Sequence, residues 1–185
     1  MTIQIKTIQT MTAALLLALG AFITGSRAQG PPRMTEEQRE RLAYFAGKWI
    51  LEGQSEGVRV TMTETCEWFA GRFHLVCRRE GFTADPSLRS RTPDGKLSSQ
   101  SVIGYDAAAK TYTNYVINSS GMGFLLRGAV DGKVWTWNAD IDANTKLRAT
   151  MTELAPGSYT AQAEVASIGS NRWAVVEEGT AKKVQ

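Results

Sequence analysis

The stretch that decides the fold is VRVTMTETCEWFAGRFHLVCRR, residues 58–79. Apolar and polar residues alternate on both sides of a central Ala-Gly-Arg turn, which is typical of two antiparallel strands with one buried face. If Cys66 lies opposite Cys77, the same register places Glu64 opposite Arg79. The stretch therefore predicts a hairpin whose two cysteines share one face.

This register sorts the side chains of the hairpin into two groups. Glu64, Trp68 and Arg79 share the buried face with the two cysteines, whereas His74 lies on the face toward solvent. Directly opposed cysteines in an oxidising compartment predict a Cys66–Cys77 disulfide, and two free buried thiols are the alternative. The Glu64–Arg79 pair either recognises the polar end of a ligand or forms a partly wet ion pair near a barrel mouth.

The pattern of the hairpin continues to the end of the chain. Short connections such as Asp131-Gly132 and Pro156-Gly157 separate the alternating segments. The exception is the connection Thr83–Ser98, which is expected to be a lid, a binding loop or a disordered segment. The chain therefore predicts an all-β fold, a single up-and-down antiparallel β-barrel with a short N-terminal helix that starts at Thr35. Strands are expected at residues 49–56, 58–68, 73–81, 99–106, 111–118, 123–130, 133–140, 146–154, 158–167 and 172–183.

Two more hairpins suggest what fills the barrel. The one around Asp131-Gly132 aligns Phe124, Leu126 and Gly128 with Trp135 and Trp137 on one face. A regular register around Pro156-Gly157 places Arg148 and Tyr159 inside, beside the small residues Ala161 and Ala163. Aromatic side chains next to small ones fit either an apolar pocket or a filled core, and both remain open. The candidate ligand-binding residues are Glu64, Trp68, Arg79, Trp135, Trp137, Arg148 and Tyr159.

The first 28 residues have the pattern of a cleavable signal peptide. Lys6 precedes an uncharged apolar run over residues 11–23, and small residues offer a cleavage site after Ala28. A retained anchor is the alternative, but the run is shorter than the roughly 20 residues that span a bilayer. We therefore expect a signal peptide at 1–28, a spacer at 29–34 and a barrel domain at 35–185. The protein would be periplasmic or secreted, with no stable membrane anchor after cleavage.

The charge of the chain argues against nucleic-acid binding. Cleavage after Ala28 removes two cations and no acid, so the formal net charge falls from +3 to +1. The remaining cations are scattered along the sequence. No nucleic-acid partner is expected.

Several short motifs resemble a bacterial family. They are Gly47-x-Trp49, Gly104-Tyr105-Asp106, residues 112–121 (YTNYVINSSG), Leu147-Arg148 and residues 167–182 (SIGSNRWAVVEEGTAK). In this order they resemble the domain-of-unknown-function family 1579, an exported lipocalin-like group of the calycin superfamily. The resemblance implies a fold and no particular activity. The chain departs from the family at Asn118, where an aspartate is usual.

The same sequence lacks the usual signatures of catalysis and cofactor binding. His74 is the one histidine and lies on the face assigned to solvent, and no serine has an elbow motif around it, which argues against a histidine-based triad. One histidine and two paired cysteines also leave no zinc-ligand spacing. The nitrobindin-like haem barrels, a related calycin group, use a late histidine, which does not match His74. No metal or cofactor is therefore predicted. Acid–base chemistry by Glu64, Glu178 or Tyr159 stays open.

These observations favour a binding protein. The leading hypothesis is a periplasmic carrier or sensor of a small, largely apolar molecule with a polar or acidic head. Tryptophans and Tyr159 would line the cavity, and Arg79 and Arg148 would meet the head. The alternative is a filled barrel that serves as an interaction module in the cell envelope, without a small ligand and with a protein partner that the sequence does not identify.

Overall fold

A closed antiparallel β-barrel forms the body of the protein. The structure, a computed structural model, describes residues 33–82 and 96–184. Each strand pairs with its neighbours in the chain, and β1 closes the barrel against β10. The predicted all-β, up-and-down barrel with one short helix is confirmed. Its elements are α1 (Glu36–Ala43), β1 (Gly47–Ser55), β2 (Val58–Trp68), β3 (Leu75–Phe82), β4 (Lys96–Asp106), β5 (Thr111–Asn118), β6 (Gly123–Asp131), β7 (Val134–Asp140), β8 (Thr145–Ala155), β9 (Ser158–Ser167) and β10 (Ala174–Val184).

Three predictions fall partly or wholly outside the described residues. The signal peptide and most of the spacer lie before residue 33, and residues 83–95 of the long connection are also outside. Strand β4 begins at Lys96, which pairs with Phe82. The predicted connection Thr83–Ser98 therefore extends too far at its C-terminal end, because residues 96–98 belong to strand β4. No helix in the described part of the chain is long and apolar enough to cross a bilayer.

Helix α1 closes one end of the barrel. Thr35 and Gln38 form a capping box at the predicted start of the helix, each side chain accepting a hydrogen bond from the other's backbone N–H. The Tyr44 hydroxyl donates to the carbonyl of Ser158 at 2.7 Å, and the Lys183 ammonium donates to the carbonyl of Tyr44 at 3.1 Å. Gly47 follows with a φ of +116°, a conformation that favours glycine. These contacts fix the helix over the end that carries the β8–β9 turn.

Aromatic side chains fill the barrel beneath the helix. Phe45 and Trp135 meet edge to face at 4.9 Å, and the rings of Trp49 and Tyr159 lie 5.0 Å apart. Trp135 stacks on Trp137 with their planes 8° apart. Trp49 also donates its ring N–H to the carbonyl of Phe45 at 2.8 Å. This end of the barrel is a packed core that leaves no passage for a ligand among these side chains.

The β2–β3 hairpin has the predicted register. Cys66 pairs with Cys77 and the two form a disulfide, while Glu64 pairs with Arg79. His74 is exposed, as expected for the solvent face. The cysteine pair therefore identified the buried face of this hairpin correctly.

The β8–β9 hairpin departs from prediction. Ala155 pairs with Ser158 at the turn, but a bulge before Ala155 shifts the register, so Glu153 pairs with Tyr159. One extra residue in a strand moves all later side chains to the opposite face. The placement of Arg148 inside is therefore wrong, since Arg148 pairs with Glu164 on the outer face. The interior positions of β8 belong to Leu147, Ala149 and Met151.

Candidate ligand-binding cavity

A cavity of about 230 Å³ occupies the barrel interior next to the aromatic cluster. Phe45 and Tyr159 line the cavity and are also part of the aromatic cluster, so they lie at the boundary between the cavity and the packed end of the barrel. Every strand contributes at least one residue to the wall. Its apolar part consists of Leu51, Cys66, Ile103, Val116, Phe124, Leu126, Trp137, Leu147, Ala149, Met151, Ala161 and Ala163.

A cluster of three charged side chains interrupts this apolar wall. The Arg79 Nε and Nη2 atoms each lie 3.2 Å from Glu64 Oε1, and Arg79 Nη1 lies 3.8 Å from Glu177 Oε1. The Arg79 side chain is 32% exposed and is one of the residues that line the cavity. One cation and two carboxylates give the cluster a formal charge of −1.

Burial and the neighbouring charges shift the pKa values of Arg79 and Tyr159. The Glu64 carboxylate, together with that of Glu177, raises the pKa of Arg79 against the opposing effect of burial. Burial, followed by the negative charge of Glu64, raises the pKa of Tyr159. Arg79 therefore stays cationic and the Tyr159 phenol stays neutral at physiological pH. Neither group is available as a general base.

Two buried polar atoms in the cavity wall have no hydrogen-bond partner among the described residues. They are the hydroxyl of Tyr159, whose residue is 1% exposed, and the Oδ1 atom of Asn114. A buried polar group without a partner costs about 1–3 kcal/mol. A bound molecule would supply these hydrogen bonds after a small shift of the two side chains, because neither atom is open to water in the structure.

The structure brings together part of the predicted site. Glu64, Arg79, Trp137 and Tyr159 line the cavity. Trp135 lies deeper in the aromatic cluster, fully buried, and donates its ring N–H to Glu153 at 2.8 Å.

The other two predicted residues also lie outside the cavity wall. Trp68 lies near the β2–β3 turn, and the guanidinium carbon of Arg72 is 5.5 Å from the centroid of the Trp68 ring. Arg148 is on the outer surface, 2.8 Å from Glu164 and 4.5 Å from the ring centroid of Trp173. Trp68, Trp135 and Arg148 are therefore misplaced as cavity residues.

Sequence reasoning missed several polar wall residues. Glu177 follows a bulge in β10, where the pairing with β9 skips a residue, so simple alternation does not predict its face. Asn114 could have been found, because it alternates with the buried Tyr112 and the wall residue Val116 on β5. Ser99 and Ser101 likewise alternate toward the interior of β4. The two serines and Asn114 add neutral hydrogen-bonding groups to the wall.

A possible metal-ligand group lies at the same wall. Ligand atoms of Glu64, Cys66 and Cys77 are within 4.8 Å of one another. The two sulfur atoms are bonded to each other, so neither is a thiolate that could bind a metal. In the disulfide form this group offers one carboxylate.

No model of a known protein family matches the chain, and no curated protein matches it significantly. The resemblance to the domain-of-unknown-function family 1579 therefore stays a prediction.

Proposed function

We propose that the protein binds a small, largely apolar molecule in the barrel, with the polar head of the molecule at the Glu64–Arg79–Glu177 cluster. The observation that carries this proposal is an apolar cavity whose wall holds a charge cluster and the unpartnered hydroxyl of Tyr159. We include export to an oxidising compartment in the proposal. The Cys66–Cys77 disulfide supports export, because such bonds persist mainly outside the cytosol.

The cavity volume limits the size of the ligand. A cavity of ~150 Å³ in another protein holds benzene. By that measure, about 230 Å³ accommodates roughly nine non-hydrogen atoms, such as one aromatic ring with a short substituted chain. The proposed ligand is therefore smaller than a fatty acid or a steroid.

The proposed binding energy has two sources. Removal of the ligand's apolar surface from water contributes about 25 cal/mol per Å². Hydrogen bonds to Tyr159 and Asn114 would satisfy groups that have already lost their contact with water. The ion pairs around Arg79 keep the polar wall fixed, so little ordering is needed when the ligand binds.

A second candidate is an interaction module that uses the outside of the barrel. Val76, Val102, Tyr115 and Leu125 pair directly across strands β3 to β6 and form an apolar stripe on the outer surface. Three of these side chains are strongly exposed, with Tyr115 at 51%. Such a stripe fits a protein partner, and this function requires no occupant in the cavity.

Binding of 2-phenylethanol, measured by titration calorimetry and tryptophan fluorescence, tests the proposed function. The alcohol matches the cavity in size, and Trp137 in the wall reports on occupancy. Ala163→Leu would fill the cavity from the inner face of β9, whereas Ala129→Leu adds the same atoms on the exposed face of β6. We expect the first variant to abolish binding and the second to retain it.

Two results would contradict the proposal. One is equal binding by wild type and Ala163→Leu, which would place the alcohol elsewhere. The other is no binding by folded wild type, which would favour the interaction module. Native mass spectrometry of the protein purified gently from its own compartment would complement this test, because a bound natural ligand adds a discrete mass that is lost on denaturation.

A further inference from the structure

We infer that the natural ligand carries a cationic, hydrogen-bond-donating head, of which a primary amine is the simplest case. This inference rests on the proposed function, because it concerns the ligand of the same cavity. The sequence predicts a ligand with a polar or acidic head, and the present inference excludes an acidic head. Three independent features of the wall support it.

The first feature is the charge of the cluster. Arg79 is the one cation among the described residues of the wall, and its guanidinium already contacts both Glu64 and Glu177. A carboxylate head would have to compete with these two groups for Arg79 and would raise the negative charge of a poorly solvated space. A cationic head would instead neutralise the formal charge of −1.

The second feature is a surplus of acceptors. Glu177 lies 3.8 Å from Arg79, beyond hydrogen-bond distance, and its side chain is 37% exposed. Its carboxylate oxygens therefore have free acceptor capacity, and the residue lines the cavity. Asn114 Oδ1 is buried without a partner in the described part of the chain and can only accept. Protonated amines supply up to three donors and no acceptor, which complements such a wall.

The third feature is the aromatic part of the wall. Phe45, Trp137 and Tyr159 line the cavity on the side of the packed end. Aromatic faces are electron-rich and attract cations, most strongly where water is excluded. A ligand with an ammonium group next to an apolar body would meet aromatic rings and carboxylates in the same space.

Three probes of nearly equal shape separate head-group charge from size: 2-phenylethylamine, 2-phenylethanol and phenylacetate. At neutral pH the amine is protonated, as lysine is, and the acid is ionised. We expect calorimetry to show the amine binding tightest and the acid weakest, with a difference between them on the order of tenfold or more. Measurements at two salt concentrations would show a partial loss of the preference at high salt, since Arg79 and Glu177 are about one-third exposed and therefore partly screened.

Glu177→Gln is the critical variant, and Glu178→Gln is its matched control. Glu177 lines the cavity, while the neighbouring Glu178 is exposed on the outer surface of the same strand. The first change removes the net charge of the cluster and should abolish most of the preference for the amine over the alcohol. The second should preserve it. Near-ultraviolet circular dichroism would verify that both variants keep the native packing.

The outcomes distinguish this inference from the function on which it rests. Tightest binding of phenylacetate or of 2-phenylethanol, or equal binding of all three probes, would overturn the cationic head and leave the binding function standing. A preference for the amine that survives Glu177→Gln would overturn the assignment of that head to Glu177. Failure of all three probes to bind folded protein would contradict the proposed function, and the inference with it.

Discussion

Arg79 and Glu64 form an ion pair inside the barrel, with the Arg79 Nε and Nη2 atoms both 3.2 Å from Glu64 Oε1. A second cross-strand pair, Arg148 with Glu164, has the same chemistry on the outer surface. The two pairs differ chiefly in what surrounds them. Their exposures are close, at 32% and 13% for Arg79 and Glu64 and 36% and 16% for Arg148 and Glu164. The inner pair lines the cavity beside Tyr159, whereas the outer pair packs against the ring of Trp173. This contrast provides an internal control for the role of each pair.

Glu64→Gln is expected to destabilise the protein. After this change, Glu177 is the one carboxylate among the described residues that still contacts Arg79, at the longer distance of 3.8 Å. Breaking a fully buried pair costs about 3–5 kcal/mol, and the 32% exposure of Arg79 reduces our expectation to about 1–3 kcal/mol. Urea unfolding would measure the loss. Glu67→Gln, on the exposed face of the same strand, should change the midpoint little, and equal effects of both variants would disprove the buried role of Glu64.

Arg148→Ala is expected to leave 2-phenylethanol binding unchanged. The side chain lies outside the barrel, where it contacts Glu164 and the ring of Trp173. A surface ion pair contributes about 0–1 kcal/mol, so the variant should remain folded. Calorimetry on the variant would check both statements. Loss of binding in a folded variant would instead show that Arg148 belongs to the site, against the observed register of β8.

The contrast between these arginines also shows how far the sequence could predict the site. Around Gly71 the two cysteines fix the register, so Glu64 and Arg79 were assigned to the correct face. Around Pro156-Gly157 no such pair exists, and the bulge between Glu153 and Ala155 leaves no mark in the pattern of residue types. A bulge is a backbone event that exchanges the two faces of a strand.

The bulge in β10 explains why the sequence pattern does not predict Glu177 as a cavity residue. Glu177 reaches the cavity because β10 skips one residue in its pairing with β9. The overall fold was predictable, since it depends on strand count and short turns rather than on the face of each strand. The aromatic core was predictable for a similar reason. Gly128 and Trp137 belong to a hairpin with regular pairing and were expected to lie on one face, as observed.

Reduction of the disulfide is expected to lower the free energy of unfolding by about 2–3 kcal/mol. Cys66 and Cys77 are 11 residues apart, and the entropy of closing a loop of that length accounts for this magnitude. Urea unfolding with and without reductant would measure the difference. A Cys66→Ala/Cys77→Ala variant is the control, because reductant should have no effect on it. Equal stability of the oxidised and reduced wild type would contradict the expectation.

Gly128→Ala is expected to destabilise the protein and weaken ligand binding. A Cβ atom at this position would lie 2.4 Å from Cε3 of Trp137, so the ring would have to move. Overpacking of this kind costs about 1–3 kcal/mol, and displacement of Trp137 alters the cavity wall. Ala129→Ser, on the exposed face next to it, is the matched control. Unchanged stability and binding in Gly128→Ala would show that the ring is not held as tightly as its contacts indicate.

Tyr159→Phe is expected to separate stability from binding at neutral pH. The buried hydroxyl has no partner within residues 33–82 and 96–184, so its removal should leave the free energy of unfolding unchanged or raise it slightly. The same change removes a hydrogen-bonding group from the cavity and should weaken binding of 2-phenylethanol. Urea unfolding and calorimetry would test the two effects on one sample. Lower stability of the variant would show that the hydroxyl has a structural partner.

The alkaline stability of the protein should also depend on Tyr159. Burial, followed by the charge of Glu64, raises the pKa of this phenol in the folded protein, whereas an unfolded tyrosine titrates near pH 10. The unfolded chain therefore loses the proton first. The contribution of Tyr159 is constant below about pH 10 and falls by about 1.4 kcal/mol per pH unit above it.

Burial also raises the pKa of Tyr44 and Tyr112, so the difference between wild type and Tyr159→Phe isolates the share of Tyr159. Urea unfolding at several pH values above 9 would show a shallower decline in the variant. Tyr115→Phe, which removes an exposed hydroxyl from the outer face, is the matched control. Identical slopes for wild type and Tyr159→Phe would mean that the phenol titrates in the folded state as it does in the unfolded chain, and that the wall of the cavity is open to water.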